Sequence, residues 1–178
     1  MKFVKGFVIT IALYIGLSML FKILVTYMNA PEDIGTLFAS LGSISPIFYQ
    51  YLANPVIMGV FYGINLYIDD PTDISLLLNI LGCIVPVIVA ALVGSVAEKK
   101  SGSVKYIFLS TFLGLMVAAT IGIIFQIVDW PEAPVFVYMN GFPVQQWEKF
   151  ITGGLIMSAL NAFIWCAVGV FITSKGWG

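Results

Sequence analysis

Residues 74–97 read ISLLLNILGCIVPVIVAALVGSVA, without one charged side chain. The run is entered through Asp69-Asp70-Pro71-Thr72-Asp73 and left through Glu98-Lys99-Lys100. A helix needs about 20 mostly apolar residues to cross the hydrocarbon core of a bilayer. This stretch is long enough, and acids at one flank with lysines at the other orient it: lysine-bearing gaps face the cytoplasm. It is read as a transmembrane helix running from outside to inside.

Working outward, three more runs satisfy the same rule: 4–28, 106–128 and 150–174, the last two also free of charge. The composition agrees. Of 178 residues, 60% are hydrophobic and 10% charged, with a mean hydropathy of +1.03. Soluble domains carry about 25% charged residues, so hydrocarbon must solvate much of this surface. The expected fold is an all-α polytopic membrane protein, a single transmembrane domain over 1–178. It would be a bundle of about six spans: 4–28, 34–51, 53–68, 74–97, 106–128 and 150–174.

The gaps sort by sign. Lys2, Lys5, Lys99, Lys100, Lys105 and Lys175 occupy alternate gaps; Glu32, Asp33, Asp69, Asp70, Asp73, Asp129, Glu132 and Glu148 occupy the others. Glu98 and Lys149 are exceptions. The expected location is the cell membrane, multi-pass, with both termini cytoplasmic. Although Lys2 and Lys5 resemble the start of a signal peptide, the apolar run behind them is too long, and retention as an anchor is expected. Both ends of 34–68 are acidic, so this stretch must return to the side it left. Either two short spans turning at Asn54-Pro55 or a re-entrant hairpin breaking near Gly42–Pro46 meets that condition; irregular backbone at membrane depth needs protein or a water cavity around it.

Tyr27-Met28-Asn29-Ala30-Pro31-Glu32-Asp33 is echoed by Tyr67-Ile68-Asp69-Asp70-Pro71-Thr72-Asp73 and, more weakly, by Ile127-Val128-Asp129-Trp130-Pro131-Glu132. Each copy ends one helix and starts the next element, with proline in the first turn and acids where the dipole favours them. Convergent punctuation explains the echo without a duplicated unit. In the loop 129–149, Asn140-Gly141 between apolar runs signals a small outer β-hairpin over 135–145, weakened by Pro143.

Absences exclude much chemistry. The chain has no His and no Arg, hence no Ser-His or Cys-His pair, no imidazole metal site and no guanidinium clamp. No glycine-rich phosphate loop occurs, and no basic stripe offers itself to nucleic acid. Cys83 and Cys166 lie in separate apolar runs and read as small buried side chains. No enzyme, cofactor or metal is expected. The outer acids could gather a divalent cation, but their spacing fits no known loop and solvated helix ends account for them.

The remaining candidates are packing or pathway groups. Asn161 is mid-helix and beyond snorkelling reach. Gly154, Ser158 and Ala162, and likewise Gly114, Ala118 and Gly122, form ridges at four-residue spacing that admit close backbone approach. Asn79 joins them, beside Asn65, Thr120 and Gln126. Lys22, near the outer end of its helix, can snorkel or pair with an acid; with Phe136, Tyr138 and Phe142 of the outer loop it is a candidate partner contact. Pro86 should kink its helix by crowding the carbonyl of Gly82. The expected function is a non-catalytic integral subunit of a larger membrane complex, packing through the small-residue helix faces and the apolar outer loop; the alternative is a small oligomeric transporter or channel for a neutral or cationic solute. The expected partners are membrane lipid and other integral membrane subunits or further copies of the chain.

Overall fold

A computed structural model describes residues 4–53, 64, 68, 74–129, 137–139, 142–144 and 147–174. Its elements are α1 (Val4–Asn29), a 3-10 helix (Pro31–Phe38), α2 (Leu41–Ala53), α3 (Ile74–Glu98), α4 (Val104–Asp129) and α5 (Trp147–Ser174). A two-stranded ribbon, β1 (Val137–Met139) with β2 (Phe142–Val144), precedes α5. Among the described residues, four helices are long and apolar enough to cross a membrane: α1, α3, α4 and α5. The chain is thus a helical, multi-pass integral membrane protein. The four uninterrupted apolar runs coincide with these helices to within about three residues, the usual uncertainty of frayed ends.

α1 buries Gly6, Thr10, Tyr14 and Ser18, every fourth residue, and then Val25. Small or hydroxylated side chains at that spacing make a shallow ridge, and α3 packs antiparallel against it. A methyl group on Gly94 of α3 would run into the Thr10 side chain, so the two backbones approach more closely than larger residues would permit. α4 is the centre of the bundle. It touches α1, α2, α3 and α5 and buries Ile107, Ser110, Thr111, Gly114, Leu115, Ala118, Ala119, Gly122, Ile123 and Gln126. The opposite faces carry Val8, Leu20, Val96, Ile124, Ile156, Phe163 and Phe171 exposed. In a protein of this hydropathy those faces meet lipid.

α1 and α3 are antiparallel, so α3 begins at the end where α1 finishes. Residues 30–73 therefore leave and return on one side. Lys5, Lys99, Lys100 and Lys105 gather at the end where α1 starts, and Glu32, Asp33 and Asp129 at the opposite end. A short 3-10 turn, Lys99–Ser101, closes on Gly102 at φ 69° and links α3 to α4. Pro86 lies inside α3, fully buried, and the helix continues through it.

Of the stretch 34–68, the structure describes 34–53, Ile64 and Ile68; the turn at Asn54-Pro55 and nearly all of the span read over 53–68 lie outside the described residues. The first part of 34–53 is no span: Pro31 opens a 3-10 helix with Glu32 and Asp33 in the first turn, the punctuation expected of the first copy. A break at Ala39 follows. Ser40 then caps α2, its Oγ accepting the Ser43 N–H at 3.1 Å, as N-cap serines do. Gly42–Pro46, expected as a breaking point, forms the first turns of α2. Proline at 46 leaves the Gly42 carbonyl without its helical donor, and the Ser45 hydroxyl supplies one at 2.8 Å. The second and third copies of the repeat lie mostly outside the described residues, as does Asn65.

Candidate functional site

α2 is described over 13 residues, about 20 Å at helical rise. Polar hooks hold both ends of this described part. At its N-terminus Ser40 Oγ donates to Asp129 Oδ2 at 2.8 Å, and Asp129 is the last residue of α4. One turn deeper, Ser45 meets Gln126. A hydroxyl has one proton, and Ser45 places it between two acceptors, Gln126 Oε1 and the Gly42 carbonyl. Phe48 then stacks edge-on against Phe125, ring centroids 5.4 Å apart. At the far end Asn161 Nδ2 donates to the Leu52 carbonyl at 2.7 Å. Asn161 stands in the middle of α5, so α2 enters from one end of the bundle and its Leu52 lies about halfway through it.

A helix C-terminus leaves its last four carbonyls without intrahelical donors and carries partial negative charge. The Leu52 carbonyl, next to the last described residue of α2, is inside the bundle, and Asn161 satisfies it. The bundle interior is rich in hydroxyls: Thr10, Ser18, Ser45, Ser95, Ser110, Thr111 and Ser158 are buried. Ser110, Thr111 and Thr173 return their protons to carbonyls of their own helices. Ser18, Ser95 and Ser158, all fully buried, have an Oγ with no hydrogen-bond partner among the described residues.

The two ends of the bundle repeat one device. Glu98, the last residue of α3, is 5% exposed, and its Oε2 accepts the Gly6 N–H of α1 at 2.8 Å. A Cβ on Gly6 would stand 2.7 Å from Ser110 Oγ and 2.8 Å from Glu98 Cβ. At the opposite end a Cβ on Gly42 would collide with the Asp129 carboxylate. In both places a carboxylate of one helix closes on the N-terminal turn of another over a glycine. Glu98, an exception to the charge sorting, is thereby accounted for as a contact between helices.

The candidates named from sequence are distributed as follows. Asn161 and Ser158 are buried together on one face of α5 with Gly154 and Ala162. Gly114, Ala118 and Gly122 are buried along α4; a Cβ on Gly114 would sit 3.1 Å from both the Phe7 carbonyl and Thr10 Cβ. Both ridges face into this chain. Asn79 is exposed on α3 and does not join the interior. Thr120 is also exposed and bonds the Met116 carbonyl. Lys22 is half-buried in the last third of α1. Tyr138 and Phe142 belong to the ribbon strands, and Phe136 lies outside the described residues. Cys83 and Cys166 are free thiols. Among the described residues no group of three or more acids or cysteines is placed to hold a metal.

The chain matches no protein-family model, no curated protein and no solved structure. Function therefore rests on the site itself. The sequence alone singles out neither Ser40, Gly42 nor Glu98 as a site residue, and it offers Asp129 only as one of the outer acids that could gather a cation. The one available signal was an acid at the end of its own helix, the position the dipole disfavours.

Proposed function

We propose that this chain is a small, non-catalytic transporter or channel for a neutral or cationic solute, working in the cell membrane with both termini cytoplasmic. The observation that carries the reading is the Leu52 carbonyl of α2, met halfway through the bundle by the Asn161 amide. Discontinuous helices ending at mid-membrane recur in transporters, where the negative C-terminal ends coordinate cations and freed carbonyls meet donors on the solute. Residues 34–68 carry no basic side chain, which favours neutral or positively charged solutes over anions. In this arrangement 34–68 re-enters: α2 descends from the outer face, and the following residues return to it.

The competing role, a subunit of a larger assembly, drew on two small-residue ridges. Both are occupied by helices of the same chain, so they leave no close-approach surface for another subunit. That role keeps the outer loop 129–149 as its support, and lipid covers the remaining apolar faces.

Reconstitution in liposomes tests the proposal. Sodium and potassium flux are followed with trapped indicator dyes, and glycerol entry by light scattering. Permeation of at least one of these above protein-free liposomes, reduced by Asn161→Leu, is the expected result. A stable complex with different polypeptides, combined with no flux of any probe, would overturn it.

A further inference from the structure

We propose that Glu98 and Asp129 are two independent latches, each closing one end of the bundle by holding the N-terminal turn of a neighbouring helix. Glu98 ties α1 to α3 at the end bearing the lysines, through the 2.8 Å bond from the Gly6 N–H. Asp129 ties α2 to α4 at the other end, through the 2.8 Å bond from Ser40.

Three observations converge on this. First, each acid is the final residue of its own helix, where the negative end of the dipole opposes a negative charge. Neither position helps the helix that carries it, and in both the compensating partial positive charge comes from another helix. α2 already has its own cap in Ser40, so the reach of Asp129 is not needed to start that helix. What the two carboxylates add is attachment. Second, the fit is tight at both ends, because Gly6 and Gly42 each leave no room for a Cβ beside the carboxylate. Contacts this close are made or broken as a unit. Third, the buried hydroxyls of Ser18, Ser95 and Ser158 on α1, α3 and α5 have no hydrogen-bond partner among the described residues. Buried polar groups ordinarily have partners, and an arrangement with one end open gives these hydroxyls water or solute to bond.

The α3–α4 hairpin then serves as a frame. It holds α1 at its turn end and α2 at its open end, so either helix can be released while the other stays in place. This deepens the transport reading and rests on it, since a bundle that passes solute must open each end in turn.

The test is thiol accessibility in permeabilised membrane vesicles, where a maleimide reaches both ends. In a Cys83→Ala/Cys166→Ala background, Ile107→Cys reports the Glu98 end and Ile47→Cys the Asp129 end; both isoleucines are buried, at 4% and 3% exposure. Glu98→Gln keeps shape and an acceptor but loses the charge. It should raise the labelling rate at position 107 by roughly tenfold, the factor for reducing a charge-assisted hydrogen bond to a neutral one, and leave position 47 unchanged. Asp129→Asn should do the reverse. Gly6→Ala and Ser40→Ala attack the same latches from the partner helix and must act in the same directions. No change at either reporter, or any variant exposing both together, overturns the proposal. Because labelling needs no solute, the latches can fail while liposome flux stands, and flux can fail while the latches hold.

Discussion

The tightest constraints in this molecule fall on residues with almost no side chain. Gly6 and Gly16 are both in α1, ten positions apart, yet a Cβ on Gly6 meets three groups within about 3 Å while one on Gly16 meets nothing within 4 Å. Gly6→Ala should therefore cost about 1–3 kcal/mol, the usual penalty for overpacking. Gly16→Ala should be neutral or slightly stabilising, since alanine is the better helix former. Thermal unfolding in mild detergent, followed by circular dichroism, compares the two directly; equal effects would show that the Glu98 contact is not tight. Asn161 supplies a second case. Asn161→Leu removes the donor to the Leu52 carbonyl and should destabilise by about 0.6–2 kcal/mol, the range for interhelical amide bonds in membranes. An unchanged melting temperature would mean that this bond does not hold α2.

Among the elements, α2 departs furthest from what its own sequence announces. The four long helices were legible because an unbroken apolar run of sufficient length admits one structure in lipid. α2 has no such run to itself. Residues 34–51 are uniformly apolar apart from small polar groups, so length alone suggested a span. What divides the stretch is Ser40, whose capping bond starts a helix seven residues later than hydropathy would. What carries the helix past Pro46 is Ser45, whose hydroxyl replaces a missing amide. Neither serine is distinctive in sequence, since serines also sit at ordinary packing positions in α1 and α4. Ser45→Ala should release the Gly42 carbonyl and the Gln126 amide together, leaving two buried groups unpaired. The expected loss is about 2–4 kcal/mol, larger than for Ser110→Ala, which frees only a carbonyl that its own helix already engages. Chemical denaturation of the two variants in detergent decides it, and equal losses would show that Ser45 acts only as a small side chain.

At the scale of the whole molecule, the sorting of charge survives as a sorting of ends. Lysines cluster where α1 starts and acids where it finishes. Impermeant labelling of intact cells should therefore modify Asp33→Cys and spare Lys100→Cys in a cysteine-free background. Inverted membrane vesicles should give the opposite pattern, and the same sidedness for both positions would sink this topology. The interior was less legible. Ridges of small residues were visible as ridges, but nothing in them said whether the neighbour was another helix of this chain or another protein. The exposure of Asn79 was equally invisible, because an amide in an apolar run reads the same whichever way it points. The contacts of Glu98 and Asp129 cross 92 and 89 residues. No local pattern reveals a pairing at that range.

Those long separations bear on how the chain is made. The hooks of α2 are Asp129, Gln126 and Asn161, lying 89, 81 and 109 residues from their partners. At about 5–20 residues per second of synthesis, α2 leaves the ribosome on the order of 5–20 s before its last hook exists. During that interval α2 lacks the contacts that fix its depth. Insertion of this protein must then occur in two stages: α1, α3 and α4 enter as spans, and α2 is drawn to its final depth only when α5 arrives. A nascent chain stalled at Gly102 should leave Ser45→Cys open to aqueous thiol reagents, and one extended beyond Ser174 should close it.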